Sequence, residues 1–216
     1  MHAPPLMFDL DGTLFQAHKL SLPAYARTFK MLQQQIPQEA ALKKTYGMTE
    51  REIWTLLLPE ASPQVRKKAA QWTEEGELKN LEQGKGELYP HVVATLEKLR
   101  SRGHQLYIVS NGAEGYVKKV CEKFNLAPLL DGIYSAGQYG TGSKSQLLEL
   151  AVQREHLAAG MMIGDRDSDI IAGADNGFVT VGCCYGYGGR DELQEADFLI
   201  DDISAVIELA SREPVI

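Results

Sequence analysis

The sequence predicts an α/β fold in which a doubly wound parallel sheet carries a second, smaller helical domain. Short apolar runs alternate with helical patterns over most of the chain, whereas residues 16–87 contain helical patterns only. Repeated strand–helix units favour a parallel sheet covered by helices on both faces. We therefore expect residues 1–15 and 88–216 to form the α/β domain and residues 16–87 to form the helical domain.

The first predicted element is a short buried strand at residues 6–10. This run is apolar except for Asp9, and Gly12 follows it almost at once, as expected for a strand that ends at a polar turn. The next apolar residues recur at helical spacing. They are Tyr25, Phe29, Leu32 and Ile36, then Leu42 and Tyr46, then Ile53, Leu56 and Leu57. A charged helix at residues 65–81 and a Gly-rich exit at residues 83–86 complete the insertion.

Strands and helices alternate from residue 88 onward. Pro90 precedes a helix that Arg102 and Gly103 close. Further strands are predicted at Leu106–Val109, Gly132–Ser135, Met161–Ile163, Val179–Val181 and Phe198–Ile200, and further helices at Ala113–Phe124, Ser143–Arg154, Ile170–Ala174 and Ile203–Leu209. Ligands of such sheets bind beyond the carboxyl ends of the strands, so polar residues that directly follow strands are the candidate site.

The composition is that of an ordinary globular protein and disfavours several functions. Hydrophobic residues make up 44% of the 216 residues and charged residues 24%, which argues against intrinsic disorder. The net charge of −7 disfavours binding to nucleic acid or to an anionic membrane surface, because both need clustered cations. No apolar run approaches the roughly 18 residues of a membrane-spanning helix. Residues 1–5 do not resemble a signal peptide and three cysteines form no disulfide framework, so we expect a cytoplasmic protein.

The first candidate site is the pair Asp9 and Asp11, which flank Leu10 directly after the first strand. Two carboxylates at this spacing on an extended segment point the same way, and their repulsion raises one pKa unless a cation intervenes. The pair suits either a hard cation or a nucleophile beside an acid/base. A turn capped by the two side chains is the alternative interpretation.

Polar residues follow three further predicted strands. Ser110 and Asn111 offer a hydroxyl and an amide in a strand-to-helix turn. Lys144 stands at the start of a helix, where the helix dipole disfavours a cation, so a bound anion would explain it; a solvated lysine is the alternative. Asp165, Asp167 and Asp169 place three acids within five positions, which a divalent cation would stabilise and which N-capping alone hardly explains.

Together these residues resemble the motifs of the haloacid dehalogenase-like superfamily of phosphotransferases. Residues 8–14, Phe-Asp-Leu-Asp-Gly-Thr-Leu, resemble its first motif, residues 109–112 its second, Lys144 its third and residues 164–169 its fourth, in the family's order. The resemblance covers nearly the whole chain. It is closest to the phosphoglycolate-phosphatase-like branch, which implies a Rossmann-like core with a helical cap inserted after the first motif.

The resemblance implies a role for each matching residue. Asp9 would be the catalytic nucleophile that accepts the phosphoryl group, and Asp11 would be the general acid and base. Lys144 would assist catalysis by holding phosphoryl oxygens. The further implied sites are phosphate binding by Ser110, Asn111 and Thr13, Mg²⁺ binding by Asp9, Asp165 and the Asp11 main-chain carbonyl, and support of that site by Asp169. Phosphoryl transfer depends mainly on positioning and on cations that offset charge on the oxygens, which fits this set.

The resemblance also limits the chemistry. Dehalogenase members lack the second acid of the first motif, so Asp11 favours phosphate chemistry. Gly47 falls where relatives place a specificity loop, and Arg51 is nearby, so both are candidates for substrate selection. The loop before Lys144 does not match the nucleotide-binding P-loop, because Ser143 intervenes between Gly142 and the lysine.

The expected function is Mg²⁺-dependent hydrolysis of a small phosphate monoester through an aspartyl phosphate. A phosphomutase, which returns the phosphoryl group to another hydroxyl, uses the same motifs and stays open as an alternative. A non-catalytic regulatory or binding protein is the second alternative. The expected partner is a small phosphorylated metabolite, with no nucleic acid and no membrane, and the chain is expected to be a monomer or homodimer.

Overall fold

A six-stranded parallel sheet forms the centre of the structure, a computed structural model that describes residues 3–211. The strands are β1 (Leu6–Phe8), β2 (Leu106–Ser110), β3 (Gly132–Ser135), β4 (Met161–Gly164), β5 (Val179–Cys183) and β6 (Phe198–Ile200). Their spatial order is β3-β2-β1-β4-β5-β6, with every neighbouring pair parallel. This confirms the predicted fold class. The outer limits of the predicted α/β domain, residues 1–2 and 212–216, lie outside the described residues.

The three central strands are buried along their whole length. Every residue of β1, β2 and β4 is buried, which explains their nearly continuous apolar runs, because a parallel sheet with helices on both faces has no solvent-exposed side. Successive residues of β1 point to opposite faces. Leu6 and Phe8 accordingly belong to one hydrophobic cluster and Met7 to the other.

Helices occupy two regions of the chain. The helical segment contains α1 (His18–Met31), α2 (Glu39–Lys43), α3 (Glu50–Leu57) and α4 (Pro63–Glu82). The α/β region contains α5 (Val92–Ser101), α6 (Glu114–Lys123), α7 (Ala136–Tyr139), α8 (Lys144–Glu155), α9 (Asp167–Asp175), α10 (Gly189–Glu192) and α11 (Val206–Leu209), with short 3₁₀ turns at Ala127–Leu129 and Ile203–Ala205. No helix within residues 3–211 is long and apolar enough to cross a membrane.

Several element ends differ from the predictions, and three of these differences have a clear local cause. Strand β1 stops at Phe8, so Asp9 lies just outside the strand in the turn. Helix α9 begins at Asp167, three residues before the predicted start, because the Asp169 carboxylate accepts a hydrogen bond from the Arg166 N–H and caps the first turn. Helix α1 ends at Met31, where Gln33 takes a left-handed conformation with φ of 56° that no continuing helix accepts.

The helical segment has its own hydrophobic cluster and joins the sheet through two paired linkers. Tyr25, Phe29 and Trp54 are among the buried residues of this cluster. The Gln16 N–H donates a 2.9 Å hydrogen bond to the Glu87 carbonyl oxygen, and Phe15 forms an antiparallel bridge with residue 88. We call residues 16–87 the cap; this division of the chain stays a prediction.

Candidate active site

The candidate site lies where the carboxyl ends of β1, β2 and β4 meet. Asp9 directly follows β1, Ser110 is the last residue of β2, and Asp165 directly follows β4. Strand β1 pairs with β2 on one side and with β4 on the other. The parallel pairing therefore brings residues that are 55 to 156 positions apart in sequence to one edge of the sheet, as the motif order predicts.

Lys144 joins two of the acidic residues at this edge. Its Nζ lies 2.5 Å from Asp9 Oδ1 and 2.5 Å from Asp169 Oδ1, and its side chain is 1% exposed. Burial alone would lower the pKa of Lys144, but the charges of Asp169 and Asp9 outweigh that effect and raise it. The ammonium group is therefore charged at neutral pH, and the alternative of a solvated lysine is excluded by its burial.

Asp165 is held by two donors at the base of the site. Thr13 Oγ1 donates to Asp165 Oδ1 at 3.2 Å, and the Tyr187 backbone N–H donates to Oδ2 at 2.7 Å. A Cβ on Gly12 would lie 2.2 Å from Asp165 Oδ2, so only glycine admits this close approach. Thr13, predicted to bind phosphate, donates its hydroxyl to the Asp165 carboxylate, and nothing in the sequence pattern marked Tyr187.

Three buried carboxylates are close enough to share one cation. One oxygen each of Asp9, Asp165 and Asp169 lies within 4.8 Å of the others. Burial and the charges of Asp9 and Asp169 raise the pKa of Asp165 well above its usual value. Carboxylate oxygens are the ligands that hard divalent cations prefer, and a cation would relieve this repulsion, so the donor set fits Mg²⁺.

Asp169 has both oxygens engaged by the protein. Oδ1 accepts from Lys144, and Oδ2 accepts from the Arg166 N–H at 3.0 Å. Asp169 therefore links the Lys144 side chain to the first turn of α9. The supporting role of Asp169 stays a prediction.

The pKa values of Asp9 and Asp11 are both raised, and to different degrees. Burial raises the pKa of Asp9 to about 6, although Lys144 opposes the shift. Burial and the neighbouring Asp9 charge raise the pKa of Asp11 to about 7, although the Tyr116 hydroxyl donates a 2.8 Å hydrogen bond to Asp11 Oδ1. A carboxyl group whose pKa is raised towards neutrality can donate and accept a proton at neutral pH.

A cavity of about 100 Å³ opens above Asp9 and Asp11, between the α/β region and the cap. Ser110 and Asn111 line it, as predicted, and so does Gly47. Arg51 does not: it is exposed on α3 and is not among the residues that line the cavity. The predicted selection of substrate by Arg51 therefore has no support in the geometry, because α3 turns this side chain towards solvent.

The cap is held over the cavity by two hydrogen bonds that the sequence did not suggest. Asn111 Nδ2 donates to the Gly47 carbonyl oxygen at 2.7 Å, and the Arg166 guanidinium donates to the Tyr46 carbonyl oxygen. Gly47 has a φ of +85°, and a Cβ there would lie 2.8 Å from Arg166 Cγ. Gly47 therefore allows the loop between α2 and α3 to touch the α/β region directly.

Comparison with known proteins gives a consistent family assignment. The family model described as haloacid dehalogenase-like hydrolase matches residues 6–183. A phosphoglycolate phosphatase from Vibrio cholerae is 26% identical over 94% of this chain and 95% of its own length. A 5'-nucleotidase from Pseudomonas aeruginosa is 26% identical over 88% of this chain and 87% of its own.

A solved structure shows the same fold. A haloacid dehalogenase-like family hydrolase from Streptococcus pneumoniae superposes with a TM-score of 0.81 and 21% identity, over 95% of this chain and 97% of the other. The family match spans all four motifs, from Asp9 to Asp169. The chain therefore belongs to the haloacid dehalogenase-like hydrolases.

Proposed function

We propose that this enzyme hydrolyses a small phosphate monoester through a phosphoryl group carried on Asp9, with Mg²⁺ as cofactor. The observation that carries the proposal is the Asp9 carboxylate at the cavity floor, held 2.5 Å from the Lys144 ammonium. The ion pair keeps the carboxylate ionised and fixes its direction. Both are required of a nucleophile that must attack phosphorus in line with the leaving oxygen.

Asp11 is placed to move the protons. A pKa of about 7 means that a substantial fraction of the carboxyl is protonated at neutral pH, where a catalytic acid and base works best. In the first step Asp9 attacks the phosphorus, the ester P–O bond breaks and Asp11 protonates the departing alkoxide. In the second step Asp11 removes a proton from water, which attacks phosphorus and releases inorganic phosphate and the Asp9 carboxylate.

The charges around the phosphoryl group fit this reaction. Lys144 offers one positive charge against the carboxylates of Asp9, Asp165 and Asp169, so the site stays negative until a cation binds. Bound Mg²⁺ would supply the charge that offsets the phosphoryl oxygens. Asp9, Asp165 and the Asp11 main-chain carbonyl are the proposed ligands.

A neutral hydrogen-bond donor would also contact the phosphoryl oxygens. Ser110 is the last residue of β2, lines the cavity and is 2% exposed, and its hydroxyl has a proton to donate to a phosphoryl oxygen. Asn111 is less suited to this predicted role, because its Nδ2 is engaged by the Gly47 carbonyl. We therefore assign the phosphate contact to Ser110 and Lys144.

Release of inorganic phosphate from a panel of phosphate monoesters, with and without Mg²⁺, tests the proposal. Wild-type enzyme should release phosphate from p-nitrophenyl phosphate, and Asp9→Asn should not, because an amide cannot form the acyl phosphate. Asp167→Asn is the matched control, since it removes a carboxylate of the same acidic motif that is exposed. The control should retain activity.

Product analysis decides between the proposal and the phosphomutase. A phosphatase releases inorganic phosphate in step with consumption of ester, whereas a phosphomutase leaves the phosphoryl group on a second hydroxyl. Loss of ester from a sugar phosphate without release of inorganic phosphate would favour the mutase. Asp9→Asn with undiminished turnover would overturn both interpretations.

A further inference from the structure

The cavity above Asp9 has an unusual charge pattern on its cap side. Glu50 from α3 and Glu74 and Glu77 from α4 line it, and none of the described residues that line it is Lys, Arg or His. A cap that selected glycolate or any other acidic leaving group would need a cation here, because an unpaired carboxylate in a confined site repels another strongly. The cap wall instead offers carboxyl groups and, among the described residues, no cationic side chain.

These three carboxylates have no partner among the described residues, and two of them, Glu74 and Glu77, are half-buried. Within residues 3–211 the side chains of Glu50, Glu74 and Glu77 take part in no hydrogen bond or ion pair with the protein, whereas Glu114 and Glu192 pair with Lys118 and Arg166. Buried or half-buried carboxylates are normally paired, because desolvation without a partner is costly. Burial, Asp11 and Glu74 raise the pKa of Glu77 to about 8, and a cation bound beside it would lower that pKa again.

A second, independent observation lies on the opposite wall. Asn111 is buried, lines the cavity and donates its Nδ2 to the Gly47 carbonyl, which leaves Oδ1 as a buried acceptor with no donor among the described residues. A buried amide oxygen without a donor is uncommon. Both walls of the cavity therefore present hydrogen-bond acceptors that have no donor among the described residues.

Aromatic rings complete the cap wall. Tyr25 and Trp54 line the cavity, with ring centroids 5.9 Å apart in an edge arrangement. Rings of this type attract cations to their faces. The volume of about 100 Å³ is well below the roughly 300–1,000 Å³ of sites for drug-sized ligands, so the occupant is small.

We propose that the leaving group of the substrate carries an ammonium group, so that the substrate is the phosphate monoester of a small amino alcohol. This inference rests on the proposed phosphatase function and specifies its substrate. The ammonium N–H groups would donate to Glu77 and to Asn111 Oδ1, next to the rings of Tyr25 and Trp54. The phosphoryl group would lie at Asp9.

Three two-carbon phosphate esters test the charge preference directly. Phosphoethanolamine, ethylene glycol monophosphate and 2-phosphoglycolate present an ammonium, a hydroxyl and a carboxylate at matched positions. The expected kcat/KM falls in that order, with a difference of about tenfold or more between the first two, since one close charge pair at moderate dielectric gives at least that factor.

Glu77→Gln and Glu75→Gln form the matched pair of variants. Glu75 is an exposed neighbour on α4 that does not line the cavity, and both substitutions remove one carboxylate. Glu77→Gln should reduce the ammonium-to-hydroxyl ratio of kcat/KM at least about threefold, and Glu75→Gln should leave that ratio unchanged. Equal ratios in both variants, or equal use of the three esters by the wild type, would overturn the inference and leave the phosphatase assignment intact.

Failure of the proposed function gives a different result. If no ester is hydrolysed, p-nitrophenyl phosphate included, the phosphatase assignment is overturned. Calorimetric titration of the same three esters into Asp9→Asn, which cannot form the acyl phosphate, then decides the charge preference by binding alone. Tighter binding of phosphoethanolamine supports the inference, and equal or reversed affinities overturn it.

Discussion

Replacing Lys144 by methionine should destabilise the fold and slow turnover strongly, and the geometry sets the size of the loss of stability. The ammonium lies 2.5 Å from carboxylate oxygens of both Asp9 and Asp169, and all three side chains are at most 4% exposed. Removing one partner of such a buried group costs about 3–5 kcal/mol, because the remaining charges stay buried and unpaired. That is a large share of the roughly 5–15 kcal/mol that stabilises a typical domain.

The loss of stability should depend on pH in a defined direction. Lys144 lowers the pKa of Asp9, which is about 6 in the wild type, so the pKa of Asp9 rises further in Lys144→Met. Above pH 6 the folded variant keeps a proton that the folded wild type has released, while the unfolded chains are alike. The free energy of unfolding of the variant therefore falls relative to the wild type as pH increases. The difference should be larger at pH 8 than at pH 5.

Urea denaturation in the presence of a chelator, at pH 5 and pH 8, measures this difference. Lys118→Met is the control, since Lys118 forms an exposed ion pair with Glu114 and such pairs contribute little; its unfolding midpoint should hardly move. Phosphate release by folded Lys144→Met should be on the order of 10²-fold slower or worse, because the lysine charge matters most in the transition state. Equal destabilisation at both pH values would contradict the proposed effect of Lys144 on the pKa of Asp9. Near-normal turnover would contradict its role in catalysis.

Three further predictions concern proton transfer, the cation and the metal-site backbone. Asp11→Asn should hardly hydrolyse alkyl phosphates yet give a burst of p-nitrophenolate in stopped flow, because that leaving group needs no acid while the second step still needs a base; equal losses without a burst would contradict the role. Activity should vanish in excess chelator and fall with Ca²⁺, which accepts more ligands than Mg²⁺; undiminished phosphate release would count against the metal. Gly12→Ala should lower the melting temperature and weaken activation by Mg²⁺, because its Cβ would lie 2.2 Å from Asp165 Oδ2. Gly84→Ala is the control, because Gly84 also has a positive φ but has open space around it. This variant introduces backbone strain without a contact to Asp165 and should leave the Mg²⁺ dependence unchanged.

The fold class and the positions of the motifs follow from local patterns in the sequence. Continuous apolar runs identify the buried parallel strands, and a polar residue that ends such a run lies at the carboxyl edge of the sheet. Asp9, Ser110 and Asp165 could be located in this way because the pattern is local. The same pattern placed the end of β1 two residues too late, since Leu10 is apolar but lies in the turn.

The contacts between side chains of the site are visible in the tertiary structure and not in the sequence pattern. Lys144 contacts Asp9 across 135 positions and Tyr116 contacts Asp11 across 105, and no periodicity reports such a distance. The acidic lining on the cap side was not evident from the sequence either, because Glu77 lies in a charged pattern that is typical of a solvated helix. The packing of α4 over the cavity places it in the lining. Periodicity tells which face of an element is apolar, whereas partners and pKa values depend on what the other elements bring to that face.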